Sequence, residues 1–116
     1  MCGIVGYIGN NECSDILLSG LKNLEYRGYD SAGIAIGTDD GDVRMCRVEG
    51  KLDKLYEAYH ADPFDGTVGL GHTRWATHGR PSKTNAHPHR AGRVILAHNG
   101  IIENYGEIKS RLMDKE

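Results

Sequence analysis

Ser31-Ala32-Gly33-Ile34-Ala35-Ile36-Gly37, a turn at Asp39-Asp40-Gly41 and the run from Val43 to Val48 read as two strands closed into a hairpin. Isoleucine and valine favour the pleated strands, and the acidic pair with glycine favours the reversal. On the N-terminal side, Cys13, Leu17, Leu21 and Leu24 recur at helical spacing, Ile16 and Leu18 widen the stripe, and Asn11 or Ser14 stands where a cap belongs. This helix is predicted to run to about Tyr26. Ahead of it, Gly3 to Gly9 is rich in Ile, Val and Tyr and reads as a strand ended by Gly9-Asn10-Asn11.

On the C-terminal side, Lys51 to Tyr59 reads as a short helix with Leu52, Leu55 and Tyr56 on one face, and Thr67 to Thr73 as another strand. Arg74 to Arg93 is a long polar stretch holding His78, His87 and His89, and so long a loop in a compact domain usually serves function. Val94 to Ala97 reads as a strand running straight into His98-Asn99-Gly100. Asn104 with Glu107 three residues on has the form of a capping box, and Ile108 and Leu112 sit one turn apart, so a closing helix is predicted from about Tyr105. Strands with helices before, between and after them predict a layered α+β fold in which one helix layer is short of sequence.

The chain has 116 residues, enough for one domain or part of one with a real core. Its formal net charge of −2 leaves no polybasic surface for nucleic acid or anionic lipid, so a small molecule or another protein is the expected ligand. Cys2, Cys13 and Cys46 are too few and too scattered for a secreted disulfide framework, which fits a reducing cytoplasm. The apolar opening has no basic leader, and no stretch approaches the length of a membrane span.

Cys2 stands directly behind Met1, so loss of one residue would put a thiol beside a free α-amino group. Such an amine can take the thiol's proton, which makes a nucleophile that carries its own base. The plainer reading is a small packing residue at the start of an edge strand. Other stretches are equally two-sided. Asn99-Gly100 is either a hairpin turn or a pair of N–H donors for a developing oxyanion. Arg74 is either a strand-end ion pair or a planar clamp for a carboxylate. Trp75 reads as an ordinary core aromatic, and Arg27-Gly28 as the end of a helix with a basic last turn and a glycine cap.

Five blocks of sequence decide among these. The opening Met1-Cys2-Gly3-Ile4-Val5-Gly6, the run Leu24 to Gly33 with Tyr26-Arg27-Gly28-Tyr29-Asp30, the run Gly71 to Gly79 with Arg74-Trp75-Ala76-Thr77-His78, Asn85-Ala86-His87-Pro88-His89, and Ala97 to Asn104 follow one another in order. Together they resemble the glutaminase domain of the glutamine:fructose-6-phosphate amidotransferase family, within the class II glutamine amidotransferases. The resemblance implies the N-terminal nucleophile hydrolase fold, a four-layer α/β/β/α sandwich, of which residues 1–116 are the N-terminal part. It also implies that the C-terminal half of the glutaminase domain and the isomerase region lie outside these residues.

The resemblance implies that processed Cys2 attacks the side-chain amide of L-glutamine, forms a γ-glutamyl thioester and releases ammonia for glucosamine 6-phosphate synthesis. Asn99 and Gly100 would form the oxyanion hole, with Arg27 and Gly28 ordering the nucleophile. Arg74, Thr77, His78 and Gly100 would bind glutamine, and Trp75 would belong to a lid. Asp30-Ser31 would be structural. The family's aspartate for the substrate's α-amino group has no match, since Asp114 lies in the closing helix. The implied partners are the isomerase region with its fructose 6-phosphate and a second copy of the full-length enzyme. No cofactor or metal is expected: His72, His78, His87, His89 and His98 are crowded together, but only His87-x-His89 approaches a ligand pair, and loop hydrogen bonding is the expected role. Two alternatives stay open, an amidophosphoribosyltransferase-type glutaminase and an inert fragment that folds or binds only with a partner.

Overall fold

The computed structural model describes residues 3–25, 29–75, 85–99 and 102–114. Along the chain these form β1 (Gly3–Ile8), α1 (Ser14–Asn23), β2 (Ser31–Gly37), β3 (Val43–Glu49), α2 (Leu52–Ala61), β4 (Val68–Arg74), β5 (His89–Ala91), β6 (Val94–Leu96) and α3 (Tyr105–Met113). Strands β1 to β4 make one antiparallel sheet in the order β1-β4-β2-β3, and β5 pairs with β6 as a separate hairpin. The result is the α+β fold that the sequence predicts.

Strand alternation gives this sheet two different faces. On one, Ala32, Ile34 and Ile36 of β2 meet Leu17 and Leu21 of α1 and Leu52, Leu55 and Tyr59 of α2, all buried, with Val5, Tyr7, Cys46 and Val48 packed at the margin. Burial of each such Leu or Ile is worth about 1.5–3 kcal/mol. Helix α1 can lie this close because β4 presents Gly69 and Gly71 beneath it. A Cβ at either position would press on Leu17 or Leu21.

The opposite face receives the segment 85–99. Arg47, on that face of β3, donates to the carbonyl of Ala86 at 3.4 Å, and Arg90 pairs with Asp42 at 3.6 Å. Gly33 carries no side chain here, and a methyl group in its place would overlap the carbonyl oxygen of His87. The absence of a side chain at Gly33 therefore lets the second layer approach the sheet.

Several expected details differ. The α1 cap is neither Asn11 nor the Ser14 side chain acting on its own helix: Cys13 is the N-cap residue, and Asp65 accepts from the Ser14 amide at 3.0 Å and from its hydroxyl at 2.5 Å. A carboxylate from a distant loop meets the unpaired donors and positive end of the helix, which local sequence does not reveal. The helix stops at Asn23, because the Leu24 amide bonds back to Leu21 and Lys22 and tightens the last turn; Tyr26 lies outside the described residues. Asn104 precedes α3 as expected but makes no side-chain capping bond. The stretch predicted as one loop contains β5, whose three residues are too few to show a strand period.

Of the four expected layers, the described residues supply one helix layer, the four-stranded sheet and the β5–β6 hairpin. Helix α3 buries none of its nine residues. No helix among the described residues is long and apolar enough to cross a membrane.

Candidate active site

Strand β4 builds the site by alternation. Gly69, Gly71 and Thr73 point to the helices, while Val68, Leu70, His72 and Arg74 project from the other face. Its register sets Ile4 of β1 opposite His72 on one side and Gly33 of β2 on the other, with Arg47 of β3 beyond Gly33. Gly3, the residue after Cys2, pairs with Thr73. The first strand therefore starts at the end of the sheet where His72 and Arg74 lie.

Three histidines gather at this end. The His72 and His87 rings stack with centroids 4.4 Å apart, and the His87 and His89 rings lie 4.3 Å apart at a tilt. His72 is fully buried. Its Nε2 lies 2.7 Å from the Oδ1 of Asn99, so a residue of the second layer is tied to the middle of the sheet. The His98 amide donates to His87 Nδ1 at 3.4 Å. Asp30 donates its amide to the Arg74 carbonyl at 2.8 Å and accepts from Gly50 at 2.8 Å, which extends the sheet ladder beyond Ser31.

The cluster is held neutral. Burial, followed by the charges of His72, His89, Arg74 and His98, pushes His87 down to about 4. Burial also lowers His72, partly opposed by the bond to Asn99 and assisted by Arg74 and His89. His89 is lowered by burial and then by Arg47 and Arg74. Neutral imidazoles beside two guanidinium groups leave the positive charge on arginine, which suits a carboxylate ligand.

Of the sequence-predicted site residues, Asn99 and Arg74 come to the same end of the same face, Asn99 through its bond to His72 and Arg74 as the residue two positions along β4 from His72. Trp75 follows Arg74 and is half exposed. Cys2, Arg27, Gly28, Thr77, His78 and Gly100 lie outside the described residues. Among the described residues no group of three His, Cys, Asp or Glu side chains is arranged to hold a metal ion. The rings of His72, His87 and His89 lie against one another beside Arg74, and His72 and His87 are hydrogen-bonded. His72 in particular was readable: in Gly71-His72-Thr73-Arg74 it shares strand parity with Arg74 and therefore its face.

Comparison with known proteins supplies a family. No family model matches the chain. A glutamine–fructose-6-phosphate aminotransferase (isomerizing) of Gluconobacter oxydans is 56% identical over 115 residues, covering 99% of this chain and 19% of its own length. That of Thermus thermophilus is 56% identical over 114 residues, covering 97% and 19%. The chain thus spans about 19% of the length of these curated relatives. Among solved structures, a glutamine phosphoribosylpyrophosphate amidotransferase from B. subtilis, complexed with ADP and GMP, superposes with a TM-score of 0.79 at 27% identity, over 99% of this chain and 25% of that one. A chain described as the allosteric regulatory enzyme of purine biosynthesis gives 0.73 at 28% identity, over 98% and 25%. With an N-terminal nucleophile amidotransferase fold and this identity along nearly its whole length, the chain belongs to the glutamine–fructose-6-phosphate aminotransferase family, matching the N-terminal part of its members.

Proposed function

We propose that these residues carry the nucleophile and part of the glutamine pocket of a glutaminase that supplies ammonia for transfer to fructose 6-phosphate. The observation that carries the proposal is the convergence of Arg74, the His72–Asn99 pair and the start of β1 at one end of one sheet face. Gly3 is paired with Thr73, so the position next to Cys2 lies one strand away from both His72 and Arg74.

In this reading the Cys2 thiol gives its proton to its own α-amino group and the thiolate attacks the side-chain amide carbon of glutamine. The negative charge that develops on the amide oxygen is met by the Asn99 side-chain N–H and the Gly100 backbone N–H. The protonated amine returns its proton to the departing nitrogen, ammonia leaves, and a γ-glutamyl thioester remains. Water then adds to the thioester and releases glutamate. Arg74 holds the substrate's α-carboxylate with two parallel hydrogen bonds, Thr77 and His78 complete the pocket, Trp75 contributes to a lid, and Arg27 and Gly28 order the nucleophile. A retained Met1 acylates the amine and stops the reaction.

Two uncovered apolar surfaces support a larger domain around this site. Among the described residues, Gly6, Ile8, Ala35, Val43, Val68 and Leu70 line a cleft of about 530 Å³ between the sheet face and Ile95 of the hairpin, and Ile102, Tyr105, Ile108 and Leu112 form a largely exposed stripe at α3. In the proposal, residues 1–116 are part of a glutamine amidotransferase type 2 domain completed by further polypeptide, with an isomerase region and a homodimer beyond it. The isolated chain then hydrolyses glutamine poorly. The fold likeness to the phosphoribosylpyrophosphate amidotransferase favours a second acceptor reading, but 27% identity to that chain is well below the 56% to the aminotransferases.

The test is glutamine-dependent ammonia release by the protein as encoded, with any sequence flanking these residues. Cys2→Ala should abolish it, and Arg74→Ala should raise KM for glutamine far more than it lowers kcat. Full ammonia release by Cys2→Ala ends the proposal.

A further inference from the structure

We infer that His72 is a positioning residue for Asn99, holding its side-chain amide in the orientation that presents the Nδ2 donor to the reacting amide oxygen. The inference rests on the proposed role of Asn99 as an oxyanion donor.

The geometry decides the direction of the bond. His72 Nε2 and Asn99 Oδ1 are 2.7 Å apart, and an amide oxygen only accepts, so Nε2 carries the hydrogen. The opposite orientation, with the Asn99 amide nitrogen toward the ring, would require Nε2 to accept and Nδ1 to carry the proton. His72 Nδ1 is buried and has no hydrogen-bond partner among the described residues. That orientation would bury an orphaned N–H donor, which folded proteins avoid more strictly than an under-used acceptor. The ring therefore selects one of the two amide orientations. Asn99 Oδ1 is tied to His72, and the Nδ2 end faces away from the ring.

The anchor is built into the sheet. His72 is 0% exposed, its strand is paired on both sides, and His87 stacks on its ring. Asn99 is exposed and follows the last residues of a three-residue strand. A donor helps an oxyanion most when it is already aimed before charge develops. The bond from a buried imidazole to the amide oxygen sets that aim. His72 touches no reacting atom in this arrangement and acts only through Asn99.

The experiment measures glutamine hydrolysis in the protein as encoded, with His72→Phe, His72→Gln, Asn99→Ala and the His72→Phe/Asn99→Ala double variant. Removal of one oxyanion donor by Asn99→Ala should cost about 10²–10³ in kcat. His72→Phe keeps the ring but loses the bond, and kcat should fall at least about tenfold while KM for glutamine changes little. Gln can donate from a similar position, so His72→Gln should recover most of that loss. The double variant should be no slower than Asn99→Ala alone. Wild-type kcat in His72→Phe, together with a large loss in Asn99→Ala, overturns the positioning role. An unaffected Asn99→Ala overturns the oxyanion reading and this inference with it. Should the variants fail to fold, nitrogen-15 spectra of the unsubstituted protein decide the question: a neutral His72 protonated on Nε2 is expected, and an Nδ1–H tautomer overturns the proposal.

Discussion

The two faces of the four-stranded sheet are made from the same strands and serve opposite ends. Toward the helices, β2 and β4 present Ala32, Ile34 and Ile36 between glycines, and α1 and α2 close over them until Leu17, Leu21, Ile34, Ile36, Leu52 and Leu55 are nearly or wholly buried. On the other face, the same β4 presents Val68 and Leu70 at one end and His72 and Arg74 at the other. His87 and the residues beside it cover the polar end and the hairpin reaches on to Asp42, whereas Ile8 remains 85% exposed and Val68 45%. One face fixes the strands. The second uses that fixed frame to hold a buried imidazole, two partly buried ones, an arginine and an amide where a free loop would let them wander.

The sharpest contrast comes from truncating a side chain on each face. Leu21→Ala on the helix face should cost about 2–5 kcal/mol, since a fully buried leucine leaves a cavity against Gly71. Ile8→Ser on the other face should change stability by no more than about 0.5 kcal/mol. Denaturant midpoints measure both, and equal losses would erase the distinction between the faces.

A smaller effect tests how the polar end is assembled. Gly33→Ala should push the carbonyl of His87 off the sheet and cost about 1–3 kcal/mol, with the stacked His72 and His87 rings moved apart. Chemical shifts of the two imidazoles report the change directly. Unaltered shifts would mean that the second layer does not bear on Gly33.

The smallest effect is a pH slope. His72, His87 and His89 are lowered from 6.5, chiefly by burial, and His87 reaches about 4. Between those values the unfolded chain binds more protons than the folded one. The stability these neutral histidines contribute is fully present above pH 6.5 and drains away as the pH falls toward 4. Melting temperature should therefore drop from pH 7 to pH 5, and His87→Phe should flatten the slope. A slope unchanged by that substitution assigns it to other groups.

Much of the helix-facing side is legible in sequence because periodicity records burial on one element at a time. Cys13, Leu17 and Leu21 mark α1, and Leu52 and Leu55 mark α2, before any packing is known. The long-range polar links are not recorded that way. Asp65 caps a helix that begins 51 positions earlier, and nothing near Ser14 points to it. The site divides similarly. Arg74 and Asn99 stand out through the motifs that contain them, but the bond from His72 to Asn99 spans 27 positions and depends on a glycine in a third strand making room for the segment that carries it.

The central claim is that this end of the sheet serves a nucleophile at Cys2. Intact-mass and peptide-mass analysis after treatment with an electrophilic glutamine analogue tests it most directly, using the protein as encoded. The account predicts loss of Met1 and one adduct, on Cys2, that excess glutamine suppresses and Arg74→Ala weakens. A retained Met1, or labelling spread over Cys13 and Cys46 without protection by glutamine, would contradict it.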